Sequence, residues 1–381
     1  MTGRGRALLL IAAAALYSGL SLGGRIFYLA AVFACLALLF SLACVLTARY
    51  GLRFSCQVSP ARVSRGETAQ LTLRASCALP LLISPLEITI GTADSPESRL
   101  LPLRRGAGEI SLSLTARHTG ALTAGLQEAA CTDILGLFRL PVKQRAGAEL
   151  LVLPRAFETD PLRMSAGEEG RTLPNRLNED LSSPEDTRAY RPGDPLKRMH
   201  WKLTARRREL IVRRFETPAP PDTLVLLDCS APPALNDPID ADEILTDTLR
   251  ETALSVAKRQ AQGEAPVRLP LYGDENHEFR SERGGDVSAL AELLARQPFR
   301  DTVPFERVLN LELRRMRRTG ATAVITARLD AGVTEGVKHI RRMGPSVRLY
   351  YITFTPDAPA DKPYVAQLQQ SLVEVCYVSP A

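Results

Sequence analysis

At 381 residues the chain is long for one compact domain and fits two soluble domains plus an anchor, and its 45% hydrophobic and 24% charged residues are those of a globular protein. Seven cysteines (Cys35, Cys44, Cys56, Cys77, Cys131, Cys229, Cys376), odd in number and never spaced C-x-x-C, exclude a disulfide framework or a zinc ribbon and read as reduced thiols. The net charge is +6, and Arg188 to Phe215 alone carries +8, so the basic character is local.

The first element is a membrane hairpin. Ala7 to Gly24 carries no charge over 18 residues, and after Arg25 the run Ile26 to Ala48 carries none over 23, long enough to cross about 30 Å of hydrocarbon. A signal peptide with Arg4 and Arg6 as its basic head is the alternative for the first run. Arg4 and Arg6 precede the first span, and Arg49 and Arg53 follow the second. The positive-inside tendency therefore puts both ends, and the soluble domains, in the cytoplasm as a two-helix protein of the cell membrane. Residues 1–52 are assigned to this hairpin.

Residues 53–155 read as short strands. CQVSPARVSRGETAQLTLRAS alternates apolar and polar residues around an Arg65-Gly66-Glu67 turn, and ISPLEITIG, EISLSLTA, ALTAGLQEAAC and ELLVLP continue the period of two. Strands at close spacing without helices predict a small antiparallel β-sandwich, immunoglobulin-like. Residues 156–222 form a linker and basic segment: Phe157 to Asp186 is polar with no period, and Thr217 to Asp222, TPAPPD, is a stiff joint.

Residues 223–381 alternate strand and helix. Apolar runs at Thr223–Leu227 and Ala321–Thr326 predict strands buried on both faces, with further strands at Val267–Tyr272, Val347–Phe354 and Val373–Val378. Helices are predicted over Asp240–Gln260, Val287–Arg296, Phe305–Arg318, Val333–Met343 and Lys362–Leu372. The pattern is that of an α/β doubly wound sheet, whose ligands bind beyond the carboxyl ends of the strands.

Two places could carry chemistry. Asp228-Cys229-Ser230-Ala231-Pro232 ends the first strand of this sheet. The other is Arg188 to Glu216, RAYRPGDPLKRMHWKLTARRRELIVRRFE, with the one tryptophan, Trp201, beside His200. Pro192 and Gly193 make a turn, and Ile211, Val212 and Phe215 suit a short strand. A lone Trp reads first as a core or interdomain anchor and a lone His as hydrogen-bonded structure. The arginines have three readings: pairing with acidic loops of the same chain, docking an acidic partner, or contact with anionic lipid. Nucleic acid is not expected, because single-strand recognition needs more aromatics than Tyr190, Trp201 and Phe215. There is no H-E-x-x-H and no G-x-x-x-x-G-K-[ST], and His118, His200, His277 and His339 show no ligand spacing, so no enzyme activity is expected. A cryptic hydrolase would need several of Asp194, His200, Asp228 and Ser230 to converge.

Tyr190, Pro192, Gly193, Asp194, His200, Trp201, Lys202, Ala205 and Arg206 resemble the Y-x-P-G-D-x-x-x-x-x-H-W-K-x-x-A-R signature of a bacterial family, the domain of unknown function 58 proteins. Thr132 to Phe138 resembles the D-P-F-G-L-F element of that family, with Ile134 in place of Pro. Asp228 and Ser230 resemble the D-x-S-x-S motif of von Willebrand factor A domains, which holds a divalent cation, usually Mg²⁺; Pro232 stands where the second Ser would be. Thr326 and Asp330 are positional candidates for the rest of that shell. The resemblance implies a membrane-anchored protein with a von Willebrand factor A-like α/β domain, working with MoxR-type AAA+ ATPases and transglutaminase-like membrane proteins as an adaptor without an activity or cofactor of its own. The signature positions expected to bind a partner or hold the fold are Tyr190, Arg191, Gly193, Asp194, Arg198, His200, Trp201, Lys202 and Arg206. The rival class is a peripheral envelope structural protein whose basic segment binds anionic lipid.

Overall fold

The computed structural model describes residues 1–77, 85–92, 95–103, 106–163, 184–191, 199–215, 221–233, 240–263, 265–281, 285–316, 319–356 and 358–380. They form two compact units: Met1–Arg155 with Ala291–Arg296, and Ala156–Leu290 with Gln297–Ala381.

The first unit opens with α1 (Gly3–Leu22) and α2 (Arg25–Gly51), both long and apolar enough to cross a membrane. Thr2 caps α1, its hydroxyl accepting from the Gly5 N–H, and Gly23 ends it in the left-handed conformation. The buried positions of α1 are Gly5, Ala12 and Gly19, spaced by seven. Small residues at that spacing let two backbones approach closely, and Gly19 lies against the Tyr28 ring of α2.

Strand β1 (Leu52–Ser59) follows α2 without a linker. Then come β2 (Arg62–Ser64), β3 (Thr68–Cys77), β4 (Leu86–Gly91), β5 (Pro96–Leu101), β6 (Ala107–Thr115), β7 (Gly120–Thr132), β8 (Arg139–Val142) and β9 (Ala146–Leu153). One sheet has the order β1-β3-β6 and the other β2-β9-β7-β4-β5, with β8 paired to β7. Leu73 and Ala75 of the first sheet meet Ile88, Ile90 and Leu126 of the second in one core, which Val45 and Ala48 of α2 also enter. The pairing is antiparallel except for β2 with β9, which is parallel and corrects the all-antiparallel expectation. Two strands absent from the sequence reading, β5 and β8, are polar edge pieces with few buried positions.

In the second unit, Ala156–Arg163 runs along the α/β layer and is pinned to it. The Phe157 N–H donates to Ser255 Oγ at 2.9 Å, Arg348 Nη1 donates to the Asp160 carbonyl at 3.0 Å, and Ser346 Oγ donates to the Arg163 carbonyl. The start of the predicted linker is therefore packed backbone, and residues 164–183 lie outside the described residues. Strand β10 (Pro184–Ala189), helix α3 (Trp201–Arg207) and strand β11 (Ile211–Phe215) follow, with β10 and β11 antiparallel.

The remaining elements are β12 (Asp222–Leu227), α4 (Ala241–Gln262), β13 (Val267–Leu271), β14 (His277–Ser281), α5 (Ser288–Arg296), α6 (Phe305–Arg315), β15 (Thr319–Thr326), α7 (Ala331–Arg342), β16 (Ser346–Ile352), α8 (Lys362–Gln370) and β17 (Glu374–Val378). The six strands are ordered β14-β13-β12-β15-β16-β17, all parallel except β14. Counted within the sheet this is 3-2-1-4-5-6, with the direction of winding reversing at β12. Leu224, Leu226, Val324 and Leu349 pack with Leu309 of α6, Val337 and Ile340 of α7 and Leu368 of α8. Gly336 lets α7 lie against Leu309, where a Cβ would come within 2.8 Å of that side chain. Burial of such a core at about 25 cal/mol per Å² is the main force holding the sheet.

One buried polar cluster ties α6 to the sheet. Glu312, with no exposed side-chain surface, accepts from Tyr272 Oη at 2.5 Å and Arg315 Nη1 at 2.9 Å, and its other oxygen is 2.7 Å from Arg268 Nη1. Burial and the Glu312 carboxylate push the Tyr272 phenol up.

Candidate functional site

The winding reversal at β12 brings Asp228, Ser230, Asp301, Thr326 and Arg328 to the carboxyl edge of the sheet, the place where such folds bind ligands. Here the polar groups satisfy one another. Asp228 is 4% exposed; its Oδ1 accepts from the Ser230 N–H at 3.0 Å and its Oδ2 from Thr326 Oγ1 at 2.7 Å. Thr326 Oγ1 in turn accepts from the Arg328 N–H at 3.0 Å. Asp301 Oδ1 accepts from the Ala231 N–H at 3.1 Å and from Arg328 Nη2 at 3.3 Å. Asp330 turns away: its carboxylate accepts from the Val333 N–H at 2.7 Å and caps α7.

These residues do not fit Mg²⁺. An octahedral shell wants several free hard oxygens, whereas Pro232 offers none, both Asp228 oxygens are engaged, Asp330 is a cap, and a guanidinium sits on Asp301. Among the described residues no three His, Cys, Asp or Glu side chains form a metal-holding group. Cys229 is also locked in: burial, then the Asp228 carboxylate, pushes its thiol up to about 12, which leaves it protonated and unreactive.

The basic segment is built the opposite way. Met199 bridges Val212, and Met199, Ile211 and Val212 are buried, so the backbone of the β10–β11 layer is anchored from below. The Tyr190 N–H donates to the Leu210 carbonyl at 2.8 Å, and the His200 N–H to the Ile211 carbonyl at 2.8 Å. His200 is the N-cap of α3; its Nδ1 accepts from the Leu203 N–H at 3.2 Å, which is the hydrogen-bonded role expected of it. Thr204 Oγ1 accepts from the Ile211 N–H at 3.1 Å and ties α3 to β11.

Helix α3 itself buries no residue. Trp201 is 63% exposed, which corrects its reading as a core anchor: it follows the His200 cap directly, on a helix that buries no residue. Lys202, Arg206, Arg207 and Arg208 are exposed and have no carboxylate partner among the described residues. Arg191 is exposed and engaged; Pro192, Gly193, Asp194, Lys197 and Arg198 lie outside the described residues. Arg208 ends α3 at φ 58°, in the left-handed region where glycine is the cheapest residue. No hydrogen bond among the described residues joins His200 to Asp228 or Ser230, and each is used locally. A G-x-S-x-G string that pattern reading passed over, Gly19 to Gly23, lies in the last turn of α1 and not on the strand-to-helix turn a nucleophile requires.

Residues 186–348 match the family model "Protein of unknown function DUF58". That span contains the β10–β11 pair, α3 and the sheet up to the start of β16, and so includes every residue of the signature. No curated protein matches the chain. Among solved structures, Cwp6 from Clostridium difficile aligns at 10% identity and a TM-score of 0.17, over 86% of this chain and 37% of that one, too loosely to support a structural argument.

The sequence had located the basic segment without orienting it. The one signal that could have placed Trp201 outside is His200 before it: a side chain that can accept at an N-cap, followed by W-K-x-x-x-R-R, starts a helix with few apolar positions.

Proposed function

We propose that this chain is a non-catalytic, membrane-anchored adaptor whose α3 face docks an acidic surface of a cytosolic partner, a MoxR-type AAA+ ATPase or its client. The observation that carries the reading is Trp201, exposed beside Lys202, Arg206, Arg207 and Arg208, none with an internal counter-charge among the described residues. An exposed Trp amid arginines has the composition of an interface hot spot. The kind of ATPase comes from the family resemblance, which the DUF58 match supports. The cytoplasmic placement rests on Arg4, Arg6, Arg49 and Arg53 flanking the spans.

The second unit is read as a von Willebrand factor A-like domain that has lost its metal. The 3-2-1-4-5-6 order with an antiparallel third strand and Asp228-Cys229-Ser230 at the reversal support that reading, and the self-satisfied carboxyl edge supports a binding role over a hydrolytic one.

The test is co-purification in detergent from native cytosol, with Mg²⁺ and a slowly hydrolysed ATP analogue. Wild type is compared with a Trp201→Ala, Arg206→Ala, Arg207→Ala variant. An AAA+ ATPase retained by wild type and lost by the variant is the expected result. No ATPase in either, with the variant losing affinity for anionic liposomes, would replace the adaptor by a lipid-binding envelope protein; lipid attraction would also fade with salt more steeply than a packed interface.

A further inference from the structure

We propose that Ile134 and Leu135 form a membrane-contacting tip that enters the headgroup–acyl boundary of the leaflet in which α1 begins. The inference rests on α1 and α2 crossing a bilayer. The tip belongs to the turn between β7 and β8, Asp133 to Phe138, and the turn is preformed: the Asp133 carboxylate accepts from the Leu135 N–H at 3.1 Å and the Phe138 N–H at 2.7 Å. Gly136 takes φ +69° to close it. Leu137 is buried, whereas Ile134 and Leu135 are 61% and 50% exposed, two adjacent large apolar side chains held outward by a rigid turn.

The place of this turn is fixed by the first span. Thr2 Oγ1 donates to the Gly136 carbonyl at 2.6 Å and the Thr2 N–H to the Leu137 carbonyl at 3.0 Å. Gly5 lies on the Leu137 carbonyl with no room for a Cβ, and the Arg4 side chain lies beside Gly136. The uncharged run begins at Ala7, five residues beyond Thr2, which at about 1.5 Å of rise per residue is about 8 Å. The interfacial layer on each side of a bilayer is about 5–8 Å thick, so the turn sits at headgroup depth.

The second span agrees. The contact of Gly19 with Tyr28 sets the antiparallel register, and equal rise along both helices brings Thr2 level with Val45. Val45 is fully buried in the sandwich core, so α2 leaves the hydrocarbon at the level where the turn meets α1. Arg4, whose side chain lies beside Gly136, is a cation at the tip that can reach lipid phosphates. The tip gives the sandwich a contact with the leaflet besides α2 and fixes its rotation about the hairpin.

The experiment uses the full chain in nanodiscs, with Trp201→Phe as background so that each variant carries one reporter. Leu135→Trp and, separately, Ile134→Trp probe the tip. Phe33→Trp, exposed a third of the way along α2 and inside its uncharged run, reports the span. Gln70→Trp, exposed on β3, is an aqueous reference; it lies seven residues from Cys77 at the membrane end of that strand, about 23 Å at strand rise. Lipids carrying a quencher near the glycerol are expected to dim the reporter at position 134 or 135 roughly twofold or more while leaving the one at position 70 unchanged, and deeply placed quenchers to act on the one at position 33. Quenching at position 33 with none at 134 and 135 overturns the tip alone. No quenching at position 33 overturns the spans and the tip together.

Discussion

The carboxyl edge of the α/β sheet and helix α3 lie in the same unit and carry similar polar groups to opposite ends. At the sheet edge every oxygen of Asp228 has a donor, Asp301 holds Arg328, and Cys229 is sealed. On α3 the cations and Trp201 have no partner inside the described chain. Polar groups that close on one another add stability, whereas a charged face left open costs self-repulsion, which is the cost the proposed docking role would offset.

Substitutions can break or sharpen that contrast. The largest effect on folding is expected from Glu312→Ala, which takes from buried Arg268 its nearest carboxylate, leaving Glu278 at 3.4 Å and Asp222 at 3.7 Å, and from Tyr272 its acceptor, and should cost about 3 kcal/mol in denaturant unfolding. Asp228→Ala leaves the Ser230 N–H without its acceptor and turns the Thr326 hydroxyl back on the Arg328 carbonyl, and should cost about 1–3 kcal/mol, with partner retention unchanged once the protein is folded. If Asp228→Ala abolished binding at unchanged stability, the sheet edge would be a ligand site after all. Arg208→Gly should raise stability by about 1 kcal/mol, because it removes a side chain from the left-handed region. The same change should weaken partner capture, since it removes one of the open cations. Trp201→Ala with Arg206→Ala and Arg207→Ala should move stability by no more than about 0.5 kcal/mol, as expected of exposed positions, while removing the partner.

The strong periodic elements were legible in the residues. Thr223–Leu227 and Ala321–Thr326 read as buried strands because both faces are covered by helices, which forces continuous apolar runs. The two apolar helices were legible for the same reason. The edge strands β5, β8 and β14 were not, since PESRLL, RLPV and HEFRS bury few side chains and carry edge-type charge. At the site, Pro232 announced the missing oxygen. The use of Asp330 as a helix cap and of Arg328 as the counter-charge to Asp301 depends on tertiary placement that no spacing encodes. Trp201 shows the same limit: composition favours burial for a lone Trp, whereas it is 63% exposed on a helix that buries no residue.

The proposed adaptor role requires that the α3 face meet a protein. Its most direct test replaces Trp201 with a photocrosslinking residue in the full chain in its native membrane, with the same residue at the exposed Leu372 as control. An adduct with an AAA+ ATPase formed from position 201 and absent from position 372 is the expected result. Adducts with lipid, or none at position 201, would contradict it.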